Sequence, residues 1–212
     1  MKPEERAIVD AFHRLYYEGP SGEERPHKRT RWMGYPCLKC PLDLWIYQEL
    51  VVEVRPRLIV ETGTYFGGSA LFLAQVLDAL GEGEVVTIDV EERSPRPAHP
   101  RIRYVRGSSA DPAVVGVALE GREAGLVVLD SDHSRAHVTA ELALLAPRVS
   151  VGGYLVVEDS NVNGHPVWPG YGDGPFEAVR EFLPRHPEFA VDAEREKFLL
   201  TYNPGGYLKR IR

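Results

Sequence analysis

The chain contains very little cysteine. Only two cysteines, Cys37 and Cys40, occur in its 212 residues, too few for the disulfide framework of a small secreted domain. Their C-x-x-C spacing suits a zinc or redox site, but a structural zinc needs further ligands, and the flanking Pro36 and Pro41 do not fit a redox pair at a helix start. The pattern predicts two free thiols.

The chain also lacks long apolar stretches and an excess of positive charge. No apolar run reaches the roughly 18 residues that a membrane-spanning helix needs, and charged residues interrupt residues 1–17, unlike a secretory signal. The 25 lysines and arginines are outnumbered by 31 aspartates and glutamates, which gives a net charge of -6. These absences predict a cytoplasmic protein, with neither nucleic acid nor a membrane as its partner.

The beginning of the chain differs in pattern from the rest. Apolar residues recur at helical spacing over residues 3–17, and a loop rich in glycine, proline and charge follows. A second helical pattern covers residues 42–54. We expect residues 1–41 to form an N-terminal helix and cap segment and residues 42–212 to form one main domain, because a chain of this length leaves little room for two domains.

Short apolar runs alternate with helical patterns from residue 58 onwards. Strands are predicted at residues 58–60, 85–88, 102–105, 126–129 and 154–157, and helices at residues 70–80, 113–119, 136–145 and 175–183. Strands that alternate with helices indicate right-handed βαβ crossovers and a parallel sheet. The runs 189–191 and 198–202 are separated only by a charged turn, so they are expected to pair antiparallel.

The predicted fold is therefore α/β, with a doubly wound, mostly parallel seven-stranded sheet and an antiparallel C-terminal hairpin. This strand inventory is typical of Rossmann-like class I S-adenosylmethionine-dependent methyltransferases, whereas the hairpin is absent from the standard dinucleotide-binding order. Ligands of such sheets bind outside the carboxyl ends of the strands, so the residues just after each predicted strand are the candidates for a site.

A glycine-rich turn with five candidate cofactor-binding residues follows the first predicted core strand. These residues are Glu61, Gly63, Thr64, Gly67 and Ser69. Glycines allow close approach of the backbone to a ligand, and the free N–H groups of the following helix suit a carboxylate. The spacing is not G-x-G-x-x-G, and Glu61 would repel a pyrophosphate but pair with an ammonium group, so the turn favours S-adenosylmethionine.

The next two predicted strands also end in polar residues. Asp89 is placed to accept hydrogen bonds from both hydroxyls of a ribose. Ser108 and Ser109 lie in a small polar turn that could admit an adenine and bond its amino edge, although Ser109 could instead cap a helix. We count all three among the cofactor-binding candidates.

Four acids follow two further predicted strands. Asp130 and Asp132 come after one strand, and Glu158 and Asp159 come after the next. Neighbouring parallel strands lie about 4.8 Å apart, so these carboxylates should converge and repel one another. A hard divalent cation such as Mg²⁺ would relieve that repulsion, which makes all four candidate metal ligands and adds Asp130 to the residues near the cofactor. The alternative is that the acids cap a helix or stay solvated.

His133 and His137 stand four positions apart, a spacing that also suits a transition metal. His137 lies one helical turn farther from the acids, so iron is the weaker alternative to magnesium.

Residues 160–174 form an unusually long loop, rich in glycine, proline and aromatic residues. Such a loop is typical of a substrate lid, and its candidate substrate-binding residues are Asn161, His165, Trp168 and Tyr171.

Several motifs together resemble the cephalosporin hydroxylase and rhamnosyl O-methyltransferase family. They are PLDLWIYQ at residues 41–48, ETGT at 61–64, GGSA at 67–70, LDSDH at 129–133 and VED at 157–159. The resemblance covers residues 32–208 and implies a class I methyltransferase fold, S-adenosylmethionine at the glycine turn and at Asp89, and Mg²⁺ held by the two pairs of acids.

The metal arrangement is also similar to that of catechol-type O-methyltransferases. In that family a catalytic lysine stands three positions after the strand-four aspartate, whereas this chain has His133 at the matching position after Asp130. We expect His133 or Lys39 to take the proton from the acceptor hydroxyl.

The expected function is Mg²⁺-dependent O-methylation of a hydroxyl on a small molecule, which can be a sugar, a diol or a natural-product scaffold. A homo-oligomer is possible. Two alternatives stay open at this point: a catalytically silent S-adenosylmethionine-binding partner of a hydroxylase system, and an NAD-dependent oxidoreductase, which the Glu61 turn and the terminal hairpin disfavour.

Overall fold

A computed structural model describes residues 1–20 and 25–212 of the chain. The α-helices are α1 (Pro3–Glu18), α2 (Pro41–Val54), α3 (Gly68–Leu80), α4 (Pro112–Leu119), α5 (Arg135–Leu145) and α6 (Pro175–Phe182). The strands are β1 (Arg31–Trp32), β2 (Tyr35–Pro36), β3 (Leu58–Thr62), β4 (Glu84–Asp89), β5 (Ile102–Arg106), β6 (Ala124–Leu129), β7 (Val149–Val157), β8 (Phe189–Val191) and β9 (Tyr207–Arg210). Short 3₁₀ helices span Pro26–Arg29, Ala146–Arg148, Leu183–Arg185 and Ala193–Glu196.

The main sheet has seven strands in the order β5-β4-β3-β6-β7-β9-β8. The first five strands of that order pair in parallel, and β9 runs antiparallel to both β7 and β8. The chain moves outward from β3 to β5 and then returns to β6 on the other side of β3, so the switch point lies between β3 and β6. The predicted doubly wound sheet is confirmed, and its ligand crevice should lie at the carboxyl ends of these two strands.

The last strand was placed wrongly from the sequence. The apolar run at residues 198–202 is not a strand, because Leu199 has φ 70 and bends the backbone out of the extended conformation. The Tyr202 N–H donates to Asp43 on α2 at 2.8 Å and not to a neighbouring strand. The strand that pairs with β8 is β9, which follows the glycine turn at Gly205.

Helices cover both faces of the sheet and bury its strands. On one face α2 and α3 pack Ile46, Leu50 and Leu73 against the strands. On the other face α4, α5 and α6 contribute a second apolar layer that includes Leu119 and Leu142. Parallel strands buried on both faces are continuously apolar, which explains why polar residues begin where β3, β4, β6 and β7 end.

The N-terminal segment packs onto the main domain instead of standing apart from it. Trp32 lies edge-on to Phe72 of α3, with the ring centroids 4.9 Å apart. The two cysteines of this segment are buried free thiols, as predicted. Within the described residues, no helix combines the length and the apolar character needed to cross a membrane. Residues 21–24 of the predicted cap segment lie outside the described residues.

Candidate active site

The glycine turn after β3 brings two strand ends together. Gly63 has φ 84, a conformation that favours glycine, and its N–H donates to the Ile88 carbonyl at 2.8 Å. A Cβ at this position would overlap the carbonyl oxygen of Asp130. The absence of a side chain therefore allows the end of β3 to pack directly against the end of β6.

A central cavity of about 310 Å³ opens beside this turn. Among the predicted cofactor residues of the turn, Gly63, Thr64 and Ser69 line the cavity. Glu61 is fully buried behind them, where its Oε2 accepts a hydrogen bond from Thr87 Oγ1 at 2.7 Å and its Oε1 has no partner among the described residues. Glu61 therefore lies beneath the turn and does not line the cavity. Gly67 is the N-cap residue of α3 and also lies outside the lining.

Asp89 stands at the end of β4 and lines the central cavity. Its two carboxylate oxygens accept the backbone N–H groups of Tyr65 and Glu91, each at 2.9 Å. These bonds fix the orientation of the carboxylate and leave further lone pairs for a ligand.

A smaller cavity of about 230 Å³ adjoins the central one. The two share Gly63, Asp89 and Ser131 in their walls, and we refer to these adjacent cavities together as the cleft. Ser109 lines the smaller cavity, as expected for a residue near the base of a nucleoside. Ser108 does not line it, and its hydroxyl accepts the Ala110 N–H at 3.2 Å within the turn.

Acidic groups and one lysine meet at the other end of the cleft. The buried Lys39 ammonium donates to Asp130 and, at 2.5 Å, to Glu158 Oε1. Tyr47 Oη–H donates to the same Glu158 oxygen at 2.5 Å. Burial alone lowers the pKa of Lys39, but the charges of Asp130 and Glu158 outweigh burial and hold this pKa well above 10.5. Lys39 is therefore an ammonium ion that neutralises two acids, which does not suit the predicted role of proton acceptor.

Glu158 and Asp130, the two acids bonded to Lys39, hold their protons more firmly than usual. Burial and the charge of Asp130 raise the pKa of Glu158, against the opposing influence of Lys39 and Tyr47. Burial likewise raises the pKa of Asp130. Two carboxylates this close repel each other, and one ammonium relieves only part of that repulsion.

Asp130, His133 and Asp159 form a second group within the same cluster. Their ligand atoms all lie within 4.8 Å of one another, close enough to share one metal ion. His133 Nε2 is 3.1 Å from Asp159 Oδ2 and 3.7 Å from Asp130 Oδ1. Burial lowers the pKa of His133, but the charges of Asp159 and Asp130 outweigh it and raise this pKa above 6.5.

Two of the four predicted metal ligands lie outside this group. Glu158 is only 4% exposed and faces Lys39 and Tyr47. Asp132 turns its Oδ1 toward the N–H of Ser134, which it binds at 2.8 Å just before α5. The hydrogen bonds with Ser134 lower the pKa of Asp132, which is typical of an acid at a helix start. The sequence pattern could not separate these helix-capping and buried acids from the clustered pair.

His137 also lies away from the metal-competent group. Its Nε2 is 3.2 Å from Ser109 Oγ and 3.6 Å from Glu141 Oε1, at the smaller cavity. The spacing of His133 and His137 therefore reflects two different surroundings, and the geometry gives no support to the iron alternative.

The four candidate substrate residues of the loop at residues 160–174 do not line the central cavity. Asn161 is fully buried with its Nδ2 3.0 Å from His13 Nε2, and His165 binds Glu177 at 3.0 Å. Trp168 packs edge-on to Tyr17, and Tyr171 stacks on Trp168 and stays 43% exposed. The loop therefore packs behind residues that line the cavity, such as Tyr17, and does not line the cavity itself.

The residues that form this part of the cavity wall were missed in the sequence. Tyr17, His27 and Tyr202 line the cavity beside Asp159 and contact one another. Burial raises the pKa of Tyr17 well above 10, so its hydroxyl is a hydrogen-bond donor. These residues come from α1, the N-terminal loop and the C-terminal segment, and no local pattern brings such distant positions together.

The fold and the cleft define a class of protein. A mostly parallel sheet with one antiparallel edge, a glycine turn after the first core strand and an acid after the second place the chain among class I methyltransferases.

Comparison with known sequences identifies the family. A model of the Rhamnosyl O-methyltransferase/CmcI family matches residues 25–211, and the chain belongs to this family. The Rhamnosyl O-methyltransferase of Mycobacterium tuberculosis (strain H37Rv) is 41% identical over 96% of this chain and 85% of the relative. Its counterpart in Mycobacterium leprae is 39% identical over 96% of this chain and 91% of the relative.

Solved structures agree with the fold. A CmcI structure with Mg and SAM has a TM-score of 0.66 at 22% identity and covers 93% of this chain and 84% of that chain. The apo structure of a TDP-rhamnose 3'-O-methyltransferase of calicheamicin biosynthesis has a TM-score of 0.57 at 18% identity, covering 99% of this chain and 95% of that chain. The predicted family resemblance is confirmed, and neither alternative function is favoured.

Proposed function

We propose that the chain is an S-adenosylmethionine- and Mg²⁺-dependent O-methyltransferase that acts on a hydroxyl of a small glycosylated molecule. One observation carries this proposal: a single cleft has cofactor-type residues at one end and a metal-competent pair of acids at the other. Its relatives are named rhamnosyl O-methyltransferases, so a rhamnosyl hydroxyl is the acceptor that we would test first.

The donor set fits Mg²⁺. Asp130 and Asp159 offer carboxylate oxygens, the ligands that this ion prefers, and they stand within 4.8 Å of each other. We assign these two acids as the residues that hold the metal. Mg²⁺ bound there would lower the pKa of an acceptor hydroxyl and orient its oxygen.

The remaining side chains have separate tasks in this proposal. Asp89 and the turn at Gly63 would bind and orient S-adenosylmethionine, which would supply the methyl group for the acceptor oxygen and be released as S-adenosylhomocysteine. His133, next to both acids, receives the hydroxyl proton. Lys39 stays charged and keeps Glu158 in place, because its pKa is far above neutral pH.

We also propose that residues 1–41 act as a cap segment for the main domain at residues 42–212. Tyr17 and His27 line the acceptor side of the cavity, and Lys39 reaches into the acid cluster. Aromatic rings suit the apolar faces of a sugar ring. The segment therefore contributes to the site itself.

Cytoplasmic location and a homo-oligomeric state are further parts of the proposal. Two unpaired buried thiols are compatible with a reducing compartment. Ile8, Phe12 and Leu15 of α1 are each more than half exposed, and a second copy of the chain would cover this apolar face. Light scattering of the purified chain would give its mass in solution.

Calorimetric titration tests the cofactor assignment. The protein is titrated with S-adenosylhomocysteine and, separately, with NAD, each with Mg²⁺ and after chelation. We expect S-adenosylhomocysteine to bind and NAD not to bind, and a methyl-transfer assay with a rhamnosyl acceptor should then require Mg²⁺. Binding of NAD alone, or transfer that is unchanged by chelation, would contradict the proposal.

A further inference from the structure

A chain of hydrogen bonds runs along the wall of the smaller cavity, away from the acid cluster. Ser109 Oγ–H donates to Ser131 Oγ at 3.4 Å, and Ser131 Oγ–H donates to Glu141 Oε1 at 2.7 Å. His137 Nε2 lies 3.2 Å from Ser109 Oγ, at the other end of the chain. Both hydroxyls belong to residues that line the cavity.

The series of hydrogen-bonded side chains ends at Glu141 on α5, an acid with no exposed surface. Its Oε2 has no hydrogen-bond partner among the described residues. The Glu141 carboxylate, with Oε1 3.6 Å from His137 Nε2, raises the pKa of His137 against the effect of burial, and the nearby Asp132 charge acts in the same direction. At this end of the series the Glu141 oxygen accepts the Ser131 hydroxyl, and at the other end an Nε2–H of His137 can donate to Ser109 Oγ.

His137 at one end and Glu141 at the other give this series of hydrogen bonds a fixed direction. Because Glu141 accepts, the Ser131 proton points toward it, and Ser131 in turn accepts the proton of Ser109. Ser109 then accepts from His137. Each hydroxyl donates its single proton to a neighbour in the wall and accepts one hydrogen bond. Each therefore keeps one lone pair that can accept a hydrogen bond from a ligand. The wall therefore presents hydrogen-bond acceptors to the cavity.

We propose that Glu141 is a positioning residue that makes this wall selective for the 6-amino group of adenine. The inference rests on the proposed function, in which the cleft binds the nucleoside end of S-adenosylmethionine. Adenine carries a donor at its 6-amino group, and two oriented hydroxyl oxygens accept from it. Without the carboxylate, the hydroxyls are free to rotate and to donate.

The test compares two ligands that differ only in that donor. Calorimetric titrations measure the affinities for S-adenosylhomocysteine and for its purine analogue, which lacks the 6-amino group. The wild-type protein should prefer S-adenosylhomocysteine by about tenfold, the typical effect of leaving buried acceptors unpaired. Glu141→Gln keeps the shape of the side chain but no longer fixes the direction of the protons, so the preference should fall to about threefold or less.

Controls separate this role from simple support of the fold. Glu123→Gln makes the same chemical change at an exposed position and should keep the full preference. Ser109→Ala removes one acceptor without touching the buried acid, so it should lower the preference even if Glu141→Gln fails to fold. A Glu141 that only stabilises α5 would weaken both ligands equally.

The outcomes are distinct. A preference that falls in Glu141→Gln but not in Glu123→Gln supports the inference, and if Glu141→Gln does not fold, the same fall in Ser109→Ala supports it. Equal affinities in the wild-type protein, a preference that a folded Glu141→Gln retains, or, where that variant does not fold, a preference that Ser109→Ala retains, would overturn the inference while leaving cofactor binding established. Failure of the wild-type protein to bind S-adenosylhomocysteine would overturn the proposed function and this inference with it.

Discussion

The two ends of the cleft are built by different means. At the cofactor end, a glycine turn and backbone N–H groups fix the geometry, and Asp89 is oriented by the N–H groups of two residues near it in space. At the metal end, charged side chains from distant parts of the chain hold one another, with Lys39 bonded to residues 91 and 119 positions away. Local backbone conformation therefore shapes the first end, whereas long-range charge balance shapes the second.

This difference predicts which ligand each substitution affects. Changes at the metal end should impair methyl transfer and metal binding while S-adenosylhomocysteine still binds. Changes at the cofactor end should weaken cofactor binding while turnover at saturating cofactor is preserved.

Asp159→Asn should reduce turnover by about 10³-fold, because the metal loses a charged ligand that contributes several kcal/mol to the reaction. The measurement is initial rate at saturating Mg²⁺ and cofactor, beside a titration with S-adenosylhomocysteine that should show nearly unchanged affinity. Asp132→Asn is the informative contrast, because Asp132 binds the N–H of Ser134 just before α5 and an amide oxygen can accept the same bond, so turnover and stability should both stay close to the wild-type values. Equal losses of turnover in both variants would show that our assignment of the metal ligands is wrong.

Lys39→Met should lower the free energy of unfolding by about 3–5 kcal/mol, because it leaves buried acids without their counter-charge. Lys197→Met is the matched control, since Lys197 is 44% exposed in its pair with Glu49 and should contribute at most about 1 kcal/mol. Added Mg²⁺ should stabilise Lys39→Met more than the wild-type protein. Equal stabilisation of both by Mg²⁺ would argue against a metal at this end.

The same variant should change the pH dependence of stability. Without Lys39, the folded-state pKa values of Asp130 and Glu158 rise further above their unfolded-state values near 4. The folded state then binds more protons than the unfolded state, so stability falls as pH increases between these values. Denaturant unfolding at pH 5 and pH 8 should show a larger deficit relative to wild type at pH 8, and a constant deficit would contradict this account.

Asp89→Asn should weaken S-adenosylhomocysteine binding by about tenfold, the usual effect of removing the charge from a hydrogen-bond acceptor. Turnover at saturating cofactor should stay close to the wild-type value. Asp78→Asn changes an exposed surface acid and serves as control. If Asp89→Asn lowers turnover at saturating cofactor but leaves the affinity for S-adenosylhomocysteine unchanged, the proposed division of roles between the two ends of the cleft is wrong.

Glu177→Gln should have the smallest effect. Burial opposes ionisation of Glu177, but hydrogen bonds from the Gly174 N–H and from His165 and Asn163 lower its pKa to about 2. This lowered pKa stabilises the folded state above the unfolded value near 4.5, and the contribution disappears as pH falls toward 2. Replacement should therefore cost about 1 kcal/mol at pH 7 and almost nothing at pH 2.5, measured by denaturant unfolding. A deficit that is independent of pH would disprove this role.

Among the residues that the sequence suggests for the cofactor, Gly63, Thr64, Ser69 and Asp89 line the central cavity, and their signals are local. The turn at Gly63 and the acid after β4 follow directly from glycine placement and from the ends of apolar runs. The metal end was predicted only in outline, since Asp130 and Asp132 have the same local pattern and differ only in what they contact. Tyr17, His27 and Tyr202 were missed because their neighbourhood arises from packing of three separate segments.

The strand at the sheet edge illustrates the same limit. Residues 198–202 have an apolar composition typical of a strand, but packing against α2 and the bend at Leu199 exclude them from the sheet. Leu200 and Tyr202 are instead buried in one cluster with Tyr17 of the N-terminal segment, whereas Leu199 stays exposed.

The position of Lys39 makes the site a late product of folding. During synthesis this residue emerges long before Asp130 and Glu158, and closing a loop of 91 or 119 positions costs more chain entropy than any local contact. Until that loop closes, the acids at the ends of β6 and β7 have no counter-charge and oppose the approach of their strands. The charge balance of the acid cluster therefore forms only when the N-terminal segment has packed onto the ends of β6 and β7.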